Sequence, residues 1–115
     1  MNFTIDYKKI VFANGYSLEF EYPLKKTLIV NDVIIIMVES PFNVTYNQNI
    51  FAITTSGDFL WRIKEVELYY TGVKDCQYVG IEKNDENELV LFNWCDTAVI
   101  VNPNTGEVIR KYHTK

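Results

Sequence analysis

Apolar and polar residues alternate in short runs, and turn-forming residues interrupt the runs every few positions. Period-two alternation is the mark of a strand with one covered and one wet face, whereas a helix repeats every 3.6 residues. Leu18, Phe20 and Tyr22 alternate in this way with Ser17, Glu19 and Glu21. The pattern predicts a first hairpin from 9–13 and 16–22, joined at Asn14-Gly15. A type I′ turn needs positive φ at both central residues, and Asn-Gly supplies it readily. After Pro23 come strands over 24–30 and 33–39 around Asn31-Asp32. The second is a continuous run, Val33-Ile34-Ile35-Ile36-Met37-Val38, which fits a strand covered on both faces. Three consecutive isoleucines disfavour a helix there because β-branched side chains lose χ1 freedom.

Residues 40–49 are polar with two aromatics, Phe42 and Tyr46, and read as a long loop. A hairpin from 50–54 and 59–64 follows, turning at Thr55-Ser56-Gly57-Asp58. Over 65–75, Val66, Leu68 and Tyr70 alternate with Glu65, Glu67 and Tyr69, which allows a strand; a short helix over 60–68 stays open as a second reading. Two further hairpins are expected, from 77–83 and 88–93, and from 97–101 and 107–112. Pro103 and Gly106 suit the turn of the last one. The fold class is all-β: antiparallel strands in hairpin repeats, forming a sandwich or an incomplete barrel. With 115 residues and no visible linker, the chain is one domain spanning 1–115.

Two of these hairpins are alike. Each has an apolar strand, a polar turn closing on a glycine and an acid (Gly57-Asp58, Gly106-Glu107), and an amphipathic strand. A weaker third copy surrounds Gly15. Repeats of roughly 40–50 residues with four strands each suggest propeller blades. The hairpins resemble the outer strands of quinoprotein-like β-propeller blades, whose motif runs Ala-x-Asp-x-x-Thr-Gly-x-x-x-Trp. Ile100, Asn102, Thr105, Gly106 and Arg110 match its spacing, and Thr105 and Gly106 match its identities. The second copy keeps Ala52, Gly57 and Trp61 with a turn one residue shorter. The resemblance implies blade-like hairpins and no bound quinone, and the chain is too short for a closed propeller, which needs at least about four blades. The whole chain also looks like a set of small uncharacterised bacterial proteins that share the Gly-x-x-x-Trp hairpin and the C-terminal Pro-x-Thr-Gly segment. Some of those look like immunity partners of toxins.

Composition and charge narrow the function. Eleven basic and 15 acidic residues give a net charge of −4. This argues against nucleic acid or anionic membrane as the main partner, because phosphate binding needs a basic face. The N-terminus lacks the basic start and apolar region of a signal peptide, and the longest apolar run is far short of the roughly 20 residues of a membrane helix. These features predict a soluble, cytoplasmic protein. In a reducing cytosol Cys76 and Cys95 are expected as half-buried thiols, with a disulfide as the disfavoured alternative.

Little in the chain points to catalysis. The one histidine, His113, lies at the fraying C-terminus, which argues against Ser-His-Asp and Cys-His arrangements. A zinc site would need Cys76, Cys95 and His113 to converge without any local ligand pair. The acidic run 82–88 lacks the length and glycine of an EF-hand and reads as a solvated turn. Glu19/Glu21 and Glu65/Glu67 have the spacing of a wet strand face. No cofactor or metal is expected.

Aromatic residues make up 15% of the chain. Phe42, Tyr46, Tyr69, Tyr70 and Trp94 fall at loops or uncertain edges, where Tyr and Trp can anchor a protein interface. Glu65, Glu67 and Asp75 around Tyr69-Tyr70 would add an acidic rim suited to a basic partner. The leading expectation is a non-catalytic protein-interaction module, with Phe42, Tyr46, Glu65, Glu67, Tyr69, Tyr70, Asp75 and Trp94 as its contact residues. The alternative is a small-ligand-binding β-barrel or enzyme with a carboxylate- and aromatic-lined pocket. Exposed edge strands would also allow a homo-oligomer.

Overall fold

The computed structural model of the chain describes residues 3–41, 43–68 and 76–114. Eleven strands run through them: β1 (Phe3–Asp6), β2 (Lys9–Phe12), β3 (Ser17–Glu19), β4 (Leu24–Val30), β5 (Val33–Val38), β6 (Ile50–Thr54), β7 (Phe59–Arg62), β8 (Tyr78–Lys83), β9 (Leu89–Asn93), β10 (Thr97–Val101) and β11 (Val108–His113). They form three antiparallel sheets, β1-β2-β3, β4-β5-β6-β7 and β8-β9-β10-β11, each a simple meander. None of the three closes into a barrel, so the all-β expectation holds in its layered, sandwich-like form. Among the described residues there is no helix, and none long and apolar enough to cross a membrane.

Period two explains how the layers stack. All six residues of β5 are buried. Val33, Ile35 and Met37 face a core shared with Ile81, Leu89, Leu91, Val99 and Val101 of the third sheet. Ile34, Ile36 and Val38 face a core shared with Ile10 and Phe12 of the first. The β4–β7 sheet is thus the middle layer, as the unbroken apolar run of β5 anticipates. Fully burying side chains of this kind contributes about 1.5–3 kcal/mol each relative to exposure.

The turns follow one chemical rule. Loops 55–57, 85–87 and 94–96 each place their last residue in the left-handed region: Gly57 (φ 95°), Asn87 (φ 62°) and Asp96 (φ 58°). The residue before each loop caps it. Thr54 Oγ1, Asn84 Oδ1 and Asn93 Oδ1 accept hydrogen bonds from the backbone N–H groups of Ser56, Glu86 and Cys95. Asn102 does the same for Asn104 in a loop one residue longer, which ends at Gly106 (φ 77°).

Several sequence expectations need correction. Asn14-Gly15 does join a hairpin, but only Gly15 of the pair has positive φ, and the loop is 13–15, closed by Phe12 N–H to Tyr16 O at 2.8 Å. Two successive positive φ values, the condition for type I′, occur instead at Asn31 (52°) and Asp32 (62°) between the paired Val30 and Val33. Strand β1 had no forecast. β3 stops at Glu19, although Phe20 and Tyr22 still pack on the core as their alternation requires. Residues 65–68 belong to no strand, and 60–62 lie in β7 rather than a helix.

The two similar hairpins share a packing feature. A Cβ on Gly57 would lie 2.6 Å from Cε2 of Tyr16, a ring at the β2–β3 turn of the first sheet. A Cβ on Gly106 would lie 2.5 Å from Cδ2 of Trp61, a ring from the middle sheet. Trp61 also donates its indole N–H to Pro103 O at 2.7 Å. Each glycine turn is thus the seat of an aromatic ring from the preceding sheet.

Candidate functional site

At one end of the middle sheet the β6–β7 ladder runs to Ile63, whose N–H donates to Ile50 O at 2.9 Å. The flanking segments 45–48 and 64–68 line a cleft of about 620 Å³, together with Arg62, Cys76, Tyr78 and Asn93. Gln48 closes its inner end: its Nε2 donates to Ile63 O at 3.0 Å, and its carbonyl accepts from Arg62 Nε at 2.7 Å. The Arg62 guanidinium lies 4.9 Å from the ring centroids of both Tyr46 and Phe51. Tyr46 in turn meets Tyr22 edge-on at 4.7 Å. These contacts hold the 45–48 wall against the middle sheet.

Three asparagines hold the other wall. Asn49, fully buried, donates to Val38 O and Tyr78 O at 2.9 Å each and accepts from Tyr78 N–H at 2.8 Å. Asn47 Oδ1 accepts from Cys76 N–H at 2.8 Å. Asn93 donates to Cys76 O at 2.6 Å and accepts from Cys95 N–H at 2.8 Å. Buried amides that satisfy both donor and acceptor sites fix backbone geometry, because leaving one unmade costs about 1–3 kcal/mol. The start of β8 is thereby tied to the β5–β6 connection on one side and to the β9–β10 turn on the other.

Cys76 and Cys95 are joined by a disulfide, and both residues are 3% exposed. The expectation of two thiols is therefore corrected. It rested on compartment, which is silent about proximity. The hairpin of β8 and β9 brings the two residues to a Cα separation of 5.4 Å, an ordinary span for a disulfide.

Trp94 follows Asn93 on the same turn and is 67% exposed. Its surroundings are nonetheless fixed. Trp94 N–H donates to Gln77 O at 3.0 Å, the disulfide holds Cys95, and Thr97 Oγ1 donates to Cys95 O at 3.1 Å. A large ring, two-thirds exposed, thus stands on a cross-braced turn.

Of the residues singled out from sequence, the structure brings Tyr46, Glu65 and Glu67 to the cleft and sets Trp94 beside it, outside the lining. Phe42, Tyr69, Tyr70 and Asp75 lie outside the described residues. The acidic rim is diluted, because Arg62 and Lys64 line the same cleft as Glu65 and Glu67. The sequence reading missed Arg62, Asn47, Gln48 and Asn93. Only Asn93, set before a polar turn, carries a usable signal: Asn there caps the following backbone.

Burial pushes the Tyr78 hydroxyl up to about 12, so it stays protonated through the neutral range. Burial also raises Tyr46, partly opposed by the positive charge of Arg62. Among the described residues no three His, Cys, Asp or Glu side chains gather as metal ligands would. The site offers a cleft lined by both signs of charge and an exposed indole on a cross-braced turn, an arrangement suited to binding.

A family model described as a domain of unknown function (DUF7957) matches residues 2–113, so the chain belongs to that family. No curated protein and no solved structure matches it.

Proposed function

We propose that this member of the DUF7957 family is a non-catalytic protein-binding module whose contact surface is the Trp94 turn and the adjoining cleft. The observation that carries the reading is the 67% exposure of Trp94 on a turn held by a disulfide and by hydrogen bonds at Asn93, Trp94, Cys95 and Asp96. Preorganised aromatic anchors are what interfaces use, because little ordering entropy is lost when they dock. Tyr46, Glu65 and Glu67 supply the polar rim. Since Arg62 and Lys64 line the same cleft as the two carboxylates, the fitting partner surface is one of mixed charge rather than a uniformly basic one. A neutralising, immunity-like role belongs to the same proposal.

The cytoplasmic location is likewise a proposal, and the disulfide bears on it. A cytosolic chain would meet reducing dithiols and would have to tolerate the open form of the bridge. A second reading takes the cleft as a small-ligand site, since about 620 Å³ lies within the usual range of such pockets, roughly 300–1,000 Å³. Pairing of two copies through an edge strand such as β11 is a separate proposal, read from the mass in solution.

The test is comparative capture from the native cell with immobilised wild type, Trp94→Ser and Glu65→Gln/Glu67→Gln. The reading expects one polypeptide held by wild type, lost with Trp94→Ser and weakened with the double variant. Equal capture by wild type and Trp94→Ser would remove the Trp94 turn from the interface.

A further inference from the structure

We propose that Cys76 and Cys95 form a reversible thiol–disulfide couple that sets the rigidity of the Trp94 turn and so regulates binding there. The regulatory half rests on the binding role proposed above; the couple does not.

The argument starts from Asn93. Its side-chain amide donates to Cys76 O at 2.6 Å and accepts from Cys95 N–H at 2.8 Å. One amide therefore spans the two residues that the sulfurs also join. Asn47 grips Cys76 from its other side, and Thr97 grips the Cys95 carbonyl. When the S–S bond opens, these hydrogen bonds keep the two residues within reach of each other, although the loop between them and Thr97 gains freedom. The thiols stay face to face, and closure proceeds as an intramolecular step.

The redox step needs an external dithiol. Its thiolate attacks one sulfur of the pair, the S–S bond breaks through a mixed disulfide, and the second thiol of the reagent closes its own disulfide. Two electrons pass to the Cys76 and Cys95 sulfurs, each of which takes up a proton. Cys76 lines the cleft, which gives the reagent a path to its sulfur once the site opens locally. Cys95 sits between Trp94 and Asp96, a non-glycine residue at φ 58°. Loss of the sulfur tether therefore loosens the loop that presents the indole and leaves the strands intact.

The test uses the full chain in dithiothreitol buffers of graded ratio. Thiols are counted by alkylation and mass, and amide exchange is followed at 93–97. The expected result is one reversible transition, a preserved β-sheet spectrum in the reduced protein, and exchange at 93–97 faster by about tenfold or more. Cys76→Ser/Cys95→Ser should match the reduced protein. Asn93→Ala should re-form the disulfide several-fold more slowly. Global loss of the sheet spectrum on reduction, re-oxidation into intermolecular dimers, or unchanged exchange at 93–97 would each overturn the couple. If the couple behaves as expected but oxidised and reduced protein capture the same partner equally, the regulation fails. If Trp94→Ser captures like wild type, the binding role fails and the couple stands.

Discussion

Asn93 donates its side-chain N–H to the carbonyl oxygen of Cys76 at 2.6 Å, across the junction between the β9–β10 turn and the start of β8. The same amide accepts from Cys95 N–H. Asn93→Ala would remove these two hydrogen bonds from a buried region, at about 1–3 kcal/mol each. A loss of roughly 2–6 kcal/mol is expected in urea unfolding of the oxidised protein.

The contrast between Gly106 and Gly15 separates backbone strain from crowding. Both have positive φ, 77° and 90°. A Cβ at Gly106 would meet the Trp61 ring at 2.5 Å, whereas one at Gly15 meets nothing within 4 Å. Gly15→Ala should cost about 1–2 kcal/mol, the price of the left-handed conformation alone. Gly106→Ala should cost about 1–3 kcal/mol more, because the ring has to move. Urea midpoints of the two variants, measured side by side, check the difference.

Tyr78 gives the chain an alkaline signature. Its folded-state value of about 12 lies above the ordinary 10, so the unfolded chain releases this proton first as pH rises. Stability should therefore fall from about pH 10 and level off near the folded value, by up to about 3 kcal/mol from this group. Tyr78→Phe should flatten that part of the profile, measured by chemical unfolding across pH 9–12.

Much of the fold could be read from periodicity, and the failures have physical causes. β5 was readable because six consecutive apolar residues can only be covered on both faces. β1 escaped because its turn places Tyr7 at φ 56°, a conformation that no turn-type residue announces. At 65–68 alternation misled, since Val66 and Leu68 are half-buried against the layers without any ladder beside them. The disulfide was hidden because pairing depends on hairpin register, and the rule about compartments argued the other way. At the site, Tyr46 and Trp94 were visible as aromatics at loops or uncertain edges, and Glu65 and Glu67 as carboxylates beside Tyr69-Tyr70. The asparagines that hold them were not, because their partners are backbone groups 17–29 residues away.

Removing the bridge with Cys76→Ser/Cys95→Ser should lower stability by about 3 kcal/mol through loop-closure entropy, given the separation of 19 residues. The folded spectrum should survive. Calorimetry on the double variant and on reduced wild type should give matching midpoints.

The most direct measurement compares Trp94→Ser with Phe59→Ser. The two rings are similarly exposed, 67% and 64%, but Phe59 begins β7 beside the Gly57 turn, at the opposite end of the sheet from the cleft. Both variants should keep wild-type stability to within about 0.5 kcal/mol, since exposed positions carry little of it. Titrating each against the polypeptide captured by wild type should then show binding lost with Trp94→Ser, by at least about 2 kcal/mol or some thirtyfold, and retained with Phe59→Ser. Equal affinities for Trp94→Ser and wild type would contradict the assignment of this turn as the binding surface.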